Sequence, residues 1–329
     1  MAIIGGGGWG TALATVLASR FAQLRLWVYE PDLAERLRAT RQNDLFLPGV
    51  RLPESVEVVT GLDAALAGAQ VVLCATPSHV VRELCGRMLP HLAPEMLFVS
   101  ATKGLEGGTL LRMSEVIAEV VGARFPARVA VLSGPTFAPE VARGEPTAVV
   151  ISSTEAELAS RIQRAFSGPT FRLYANLDPI GVELGAALKN IIAIGAGVCQ
   201  GLGLGGNIMA ALVTRGLVEI RRLVVALGGQ PATLFGLAGL GDLVLTCTGE
   251  LSRNRQVGIQ LGRGRTLPDI LASMRMVAEG IRTTDAAVEL GRRHAVDLPI
   301  TQQVHAILHQ QKPPQEAVRE LMDRSLKEE

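Results

Sequence analysis

Lysine is nearly missing from this chain. Of 32 basic residues only Lys103, Lys189, Lys312 and Lys327 are lysines, and the other 28 are arginines. Arginine therefore serves wherever any cation will do. A lysine in an apolar or glycine-rich stretch calls for what guanidinium lacks, a compact ammonium able to give up its proton. Neither sign of charge dominates, since 31 acidic residues leave a formal net charge of +1. A nucleic-acid-binding protein held by a broad basic face is excluded. The four cysteines, Cys74, Cys85, Cys199 and Cys247, lie far apart without a C-x-x-C pair. That excludes a disulfide framework and a cysteine zinc site, suits free thiols in a reducing cytoplasm, and leaves no metal expected. A leader is not expected either, because the first residues run straight into a strand-like segment with no room for a basic region and an apolar core. There is no repeat of fixed period and no low-complexity tract.

Glycine and apolar residues are abundant, with 36 Gly and 48% hydrophobic content over 329 residues. Disorder is excluded. One core rarely grows past about 250–300 residues, so two domains are expected, 1–177 and 178–329. The uncharged stretch 190–214 is long enough to raise the question of a membrane helix. Its six glycines and its polar Asn190, Gln200 and Asn207 interrupt it, and 201–206 reads as a bend. No integral membrane segment is expected.

Through residue 177 short apolar runs alternate with helical spacing, the pattern of βαβ units around a parallel sheet. Strands are expected at 2–4, 24–29, 56–58, 71–75, 97–100 and 129–132, with a further pair at 147–152 and 170–173. Helices are expected at 9–20, 32–41, 62–67, 79–88, 109–120 and 154–166. Beyond residue 178 helical spacing takes over, at 180–198, 208–226, 254–261, 283–292, 301–310 and 314–321. The fold class is thus α/β followed by an all-α domain.

Between the first strand and the first helix, Gly5-Gly-Gly7-Gly8-Trp9-Gly10 fits G-x-G-x-x-G. Gly5 permits the turn, Gly7 lets the backbone approach a pyrophosphate, Gly10 allows close helix packing, and the helix N-terminus attracts the anion. Glu30, at the end of the second strand, either holds a ribose diol, which leans towards NAD, or is a solvated carboxylate before Pro31. No arginine occupies 28–32, although Arg36, Arg38 and Arg41 follow. Lys103 lies just past the carboxyl end of a strand, where open α/β sheets place ligands, and Lys189 precedes an apolar helix. Among the histidines, His294, His305 and His309 fall in a polar C-terminal segment and read as solvent-facing or capping. From 215 to 265 seven arginines meet three acidic residues, an excess that suits an anionic small molecule. Within it Ser252, Arg253 and Asn254 surround an expected helix N-terminus, where they either chelate a phosphate or form an ordinary cap. Asp242 follows a glycine run, as an orienting carboxylate or a cap.

Six stretches, 5–14 (GGGGWGTALA), 100–106 (SATKGLE), 132–142 (LSGPTFAPEVA), 181–196 (GVELGAALKNIIAIGA), 236–248 (GLAGLGDLVLTCT) and 251–255 (LSRNR), resemble the bacterial NAD(P)-dependent sn-glycerol-3-phosphate dehydrogenases, in family order and across both domains. The resemblance implies a Rossmann-like N-terminal domain and a helical domain like that of 6-phosphogluconate dehydrogenase. It implies NAD(P) as cofactor, dihydroxyacetone phosphate and sn-glycerol 3-phosphate as partners, a role in glycerophospholipid synthesis, and a cytoplasmic homodimer. By resemblance Lys189 is the general acid/base, helped by Asp242 and Asn190. Lys103, Gly134, Thr136, Lys189, Asp242, Ser252, Arg253 and Asn254 match substrate positions, with Asn190 and Thr246 beside them. Gly5, Gly7, Gly8, Trp9, Gly10, Tyr29, Phe46, Lys103, Ala138, Arg253, Val277 and Glu279 match cofactor positions. Tyr29 stands where the family often has Arg or His, Thr136 where Ser is usual, and Gly8 where Ser is common. Two other readings stay open: a related 2-hydroxyacid or ketopantoate-type reductase, and a non-catalytic dinucleotide sensor.

Overall fold

Runs of three to six largely apolar residues form the strands of the main sheet in the first unit. The computed structural model describes residues 1–274 and 278–326. It divides into two compact units, Met1–Glu106 with Leu111–Glu183, and Gly107–Leu110 with Leu184–Glu329. The strands are β1 (Ala2–Ile4), β2 (Leu24–Trp27), β3 (Gln42–Asn43), β4 (Leu47–Arg51), β5 (Val56–Val59), β6 (Val71–Cys74), β7 (Leu97–Ser100), β8 (Arg128–Ser133), β9 (Thr147–Ser152) and β10 (Phe171–Asn176). Eight form one sheet in the order β10-β9-β8-β7-β6-β1-β2-β5. β1, β6 and β7 are buried throughout, as strands covered on both faces must be. Alternate residues feed two cores. Ile3, Leu26, Leu73 and Val99 pack on one face, Ala2, Ile4, Val72 and Phe98 on the other. Because β1 has β2 on one side and β6 on the other, the strand order reverses at β1, and the carboxyl ends there form the ligand-binding crevice of such sheets.

Three expectations in this unit change. β9 and β10 are parallel to each other, yet β9 runs antiparallel to β8. The link between β8 and β9 carries only the five-residue helix Ala138–Ala142, which advances about 8 Å. A return along a six-residue strand needs about 20 Å, so the chain re-enters from the same end. The helix expected at 109–120 starts only at Met113, because Leu110 has φ +66° and Arg112 and Glu115 close a capping box. A two-stranded hairpin, β3–β4, also stands where no strand is expected.

Among the described residues the second unit contains helices and no strand. Its long members are Pro179–Gly201, which straddles the boundary between units, and Gly206–Ala226, followed by Asp242–Thr248, Arg253–Gly262, Leu267–Ser273, Glu279–Arg293, Pro299–His309 and Pro314–Met322. Pro179–Gly201 is long and apolar enough to cross a bilayer, but its apolar window is entirely buried within the protein.

Two of these helices touch backbone to backbone. Gly197 and Gly201 on Pro179–Gly201 face Gly258 and Gly262 on Arg253–Gly262, each pair four residues apart and so on one face. A Cβ at Gly258 would lie 2.0 Å from the Ile194 carbonyl oxygen, and one at Gly197 would lie 2.0 Å from that of Arg255. Gly258→Ala is therefore expected to cost about 3 kcal/mol or more, the upper end for overpacking. Gly86→Ala, on an exposed helical face with nothing within 4 Å, is expected to gain about 0.5–1 kcal/mol. Urea unfolding of both variants checks the contrast, and a Gly258→Ala protein as stable as the parent would contradict the contact.

Glu219, 3% exposed, holds the start of Pro299–His309. Its carboxylate accepts hydrogen bonds from the Ile300 and Thr301 amides (2.6 and 3.1 Å) and from the Thr301 hydroxyl (3.2 Å). Burial pushes its carboxyl from 4.5 up to about 7, against the pull of those bonds and of Arg222. The folded state thus binds this proton more tightly than the unfolded chain. The associated stability is fully present below about pH 4.5 and is lost as pH rises through about 7. Relative to Glu219→Gln, the parent should lose up to about 3 kcal/mol between pH 5 and 8; a pH-independent difference would contradict this placement.

Candidate active site

The first unit provides a glycine loop at the carboxyl end of β1. The helix Gly8–Leu17 begins there with Gly7 as its N-cap and no side-chain cap bond, so its first amides point outward without a side-chain acceptor. A Cβ at Gly10 would lie 1.8 Å from the Gly5 carbonyl oxygen, so only glycine permits this turn, whereas one at Gly7 would meet nothing within 4 Å. Gly8 faces Phe46, whose carbonyl oxygen would be 2.6 Å from a Cβ there. The buried Trp9 indole N–H has no hydrogen-bond partner among the described residues. An open, amide-lined loop with a spare buried donor fits the diphosphate of a dinucleotide.

Asn43 holds this loop in shape, a role the sequence does not suggest. Fully buried on β3, it donates to the Gly6 carbonyl and to the Thr11 hydroxyl (both 2.8 Å), and its side-chain oxygen accepts from the Phe46 amide (2.9 Å). Tyr29, 66% exposed, follows β2, and Glu30 is the N-cap residue of Pro31–Thr40. The three arginines beyond are engaged with protein groups: Arg36 with Asp44, Arg38 with the Val58 carbonyl, Arg41 with the Val56 and Pro53 carbonyls. Ala138 opens the short helix that packs on Gly8–Leu17. Past β7, the Lys103 ammonium donates to the Gly134 carbonyl (3.2 Å) and to the Thr136 hydroxyl (3.4 Å). Gly134 has φ +146°, and a Cβ there would lie 2.9 Å from Val149 Cα. Lys103, Gly134 and Thr136 are thus brought together.

The second unit buries a charge pair. Lys189, 4% exposed on Pro179–Gly201, donates to a carboxylate oxygen of Asp242, 0% exposed, and to the Thr246 hydroxyl at 2.7 Å. Thr246 in turn donates to the Asp242 backbone carbonyl at 2.6 Å. Asp242 opens the helix Asp242–Thr248 directly after the π-helical turn Leu237–Gly241, and Thr246, four residues on, shares its face. Thr246 is therefore a direct partner of the lysine. The neighbouring Cys247 is no nucleophile, since burial pushes its thiol up to about 12 despite the opposing charges of Lys189 and Arg255.

The arginine-rich segment is partly turned inward. Ser252 caps Arg253–Gly262 by accepting from the Arg255 amide (3.2 Å), the ordinary alternative for this serine. Asn254 accepts from the Gly280 amide (3.0 Å) at the start of Glu279–Arg293. Arg253 lies exposed at the start of its helix; partial desolvation by its surroundings lowers its affinity for its proton, while the Glu279 carboxylate opposes that shift. Buried Asn190 adjoins them, its backbone carbonyl oxygen 2.8 Å from where a Gly280 Cβ would stand. Val277 lies outside the described residues.

Comparison with known proteins agrees with both halves. The family model for the N-terminus of NAD-dependent glycerol-3-phosphate dehydrogenase matches residues 1–159, and that for its C-terminus matches residues 178–319. The glycerol-3-phosphate dehydrogenase (NAD(P)+) of Koribacter versatilis is 59% identical over 98% of this chain and 97% of its own length. The enzyme of the same name from Geobacter sp. strain M21 is 51% identical over 100% and 98%. The crystal structure of glycerol-3-phosphate dehydrogenase from Coxiella burnetii superposes with a TM-score of 0.93 at 43% identity, covering 98% of each chain. The chain belongs to the NAD-dependent glycerol-3-phosphate dehydrogenase family, and this sets aside the 2-hydroxyacid and ketopantoate reductase readings.

Proposed function

Starting from that membership, we propose that the protein reversibly reduces dihydroxyacetone phosphate to sn-glycerol 3-phosphate, with the buried Lys189–Asp242–Thr246 group as the observation that carries the reading. NAD(P)H, when bound, supplies the hydride. As the ketone carbon is reduced its oxygen gains negative charge, and the Lys189 ammonium hydrogen-bonds that oxygen and then protonates it. Positioned acid catalysis of this kind contributes about 10²–10⁴-fold. Asp242 makes a buried ammonium tolerable, and Thr246 with Asp242 fixes its direction. In the oxidative direction the Lys189 amine accepts the hydroxyl proton. Asn190 positions the carbonyl beside it.

Arg253, with Ser252, Asn254 and the amides at the start of its helix, takes the substrate phosphate. Lys103, Gly134 and Thr136, which the first unit brings together, are substrate residues by their match to the family pattern. Gly5, Gly7, Gly8, Trp9 and Gly10 take the dinucleotide diphosphate; Tyr29, Phe46, Lys103, Ala138, Arg253 and Glu279 are cofactor residues by their match to the family pattern, as is Val277, which lies outside the described residues. Glu30 and the engagement of Arg36, Arg38 and Arg41 favour NAD over NADP. The product serves glycerophospholipid synthesis in the cytoplasm, a compartment that suits four buried free cysteines. Exposed Val225, Phe235, Val244 and Leu251 on the second unit support a homodimer.

Lys189→Arg keeps the charge but removes proton exchange at neutral pH. Its kcat should fall at least about a hundredfold while NADH binding, followed by fluorescence, persists. Near-normal turnover would overturn the role. Arg253→Ala should raise KM for dihydroxyacetone phosphate by about 10–150-fold, as loss of a charged hydrogen bond implies, and hardly change the slow reduction of unphosphorylated dihydroxyacetone. Equal losses on both substrates would show that Arg253 does not read phosphate.

A further inference from the structure

Three side chains that the reaction does not use meet on the surface of the second unit. Asp285 stands on Glu279–Arg293, and His305 and His309 stand four residues apart on Pro299–His309, so both imidazoles leave their helix on one side. The Nε2 atoms of His309 and His305 lie 3.0 and 3.4 Å from the same Asp285 carboxylate oxygen, and the two rings are 5.0 Å apart. One donor atom from each residue fits within a mutual separation of 4.8 Å.

Donor atoms at 2.0–2.1 Å from a tetrahedral zinc ion are about 3.4 Å apart. Two of the three separations here are already close to that value. Both helices are anchored from beneath, one by buried Ala286, Ala287 and Leu290, the other by buried Val304, Ile307 and Leu308, so little reorganisation of the backbone is needed. Exposure of Asp285 and His309 gives an ion a path from solvent.

We propose that Asp285, His305 and His309 form a binding site for a divalent transition-metal ion of the zinc type, held by two imidazole nitrogens and one carboxylate oxygen, with water completing its shell. Two nitrogens and one oxygen select such ions over magnesium and calcium, which take oxygen ligands. A bound ion would clamp the helix that opens with Glu279 to Pro299–His309.

Calorimetric titration of the chelator-treated full-length protein with zinc chloride in a non-coordinating buffer tests this, alongside His305→Gln, His309→Gln, the double variant and Asp285→Asn. Zinc should bind the parent at one equivalent and raise its melting temperature, and both effects should be lost in the histidine variants. Magnesium should give neither effect. The variants should reduce dihydroxyacetone phosphate at the parent rate, which shows that they are folded. Absence of zinc binding to the parent, an unchanged zinc isotherm in the double variant, or magnesium binding equal to zinc would overturn the site.

Discussion

An ammonium ion buried in a helical core is tolerable only if its counter-charge is buried with it. Lys189 and Asp242 meet that condition, and much of the second unit follows from it. Each charge alone would face a desolvation cost of several kcal/mol, and removing one partner of such a pair costs about 3–5 kcal/mol. The pair therefore fastens Asp242–Thr248 to Pro179–Gly201. The glycine contact fastens Arg253–Gly262 to the same long helix, because Gly197, Gly201, Gly258 and Gly262 leave no room for a Cβ. Lysine, carboxylate and the arginine-led helix are thus tied to one rigid element. On the proposed reading, this holds the proton donor and the anion-binding helix end on common backbone, as reduction of a phosphorylated ketone needs.

The first unit rests on a different constraint. Reversal of strand order at β1 opens a crevice at its carboxyl end, and the glycine loop places helix amides there without side-chain caps. Asn43 then fixes the loop by filling three hydrogen bonds at once. The same fully buried residue brings Phe46 against Gly8. The glycine loop and the lysine–aspartate pair are thus each held by the packing of their own unit.

Much of this was legible in the residues, for physical reasons. Apolar runs two or three turns apart dictate a covered sheet, and G-x-G-x-x-G between strand and helix admits few other uses. The rarity of lysine drew attention to Lys103 and Lys189, and both make specific polar contacts. Strand direction was not legible, because alternation marks β9 and β10 as strands whichever way they run. The hairpin leaves little trace in the sequence because β4 buries only Leu47 and Val50 of its five residues. Asn43 and Thr246 are single polar residues whose partners come from distant segments. The four-residue spacing of His305 and His309 was visible, but Asp285 comes from another helix. Ser252 accepts a cap bond from the Arg255 amide, and Arg255 in turn bonds the Gly249 carbonyl, so part of the arginine excess serves local structure.

The central claim is that the Lys189 amine itself moves the proton. Removing it as Lys189→Ala and supplying small primary amines in solution tests this most directly. The account predicts that this variant still binds dihydroxyacetone phosphate, reduces it very slowly, and is accelerated by added amine in proportion to amine concentration. A variant that binds substrate and turns over at the parent rate without amine would contradict the account, as would one that no amine of any size accelerates.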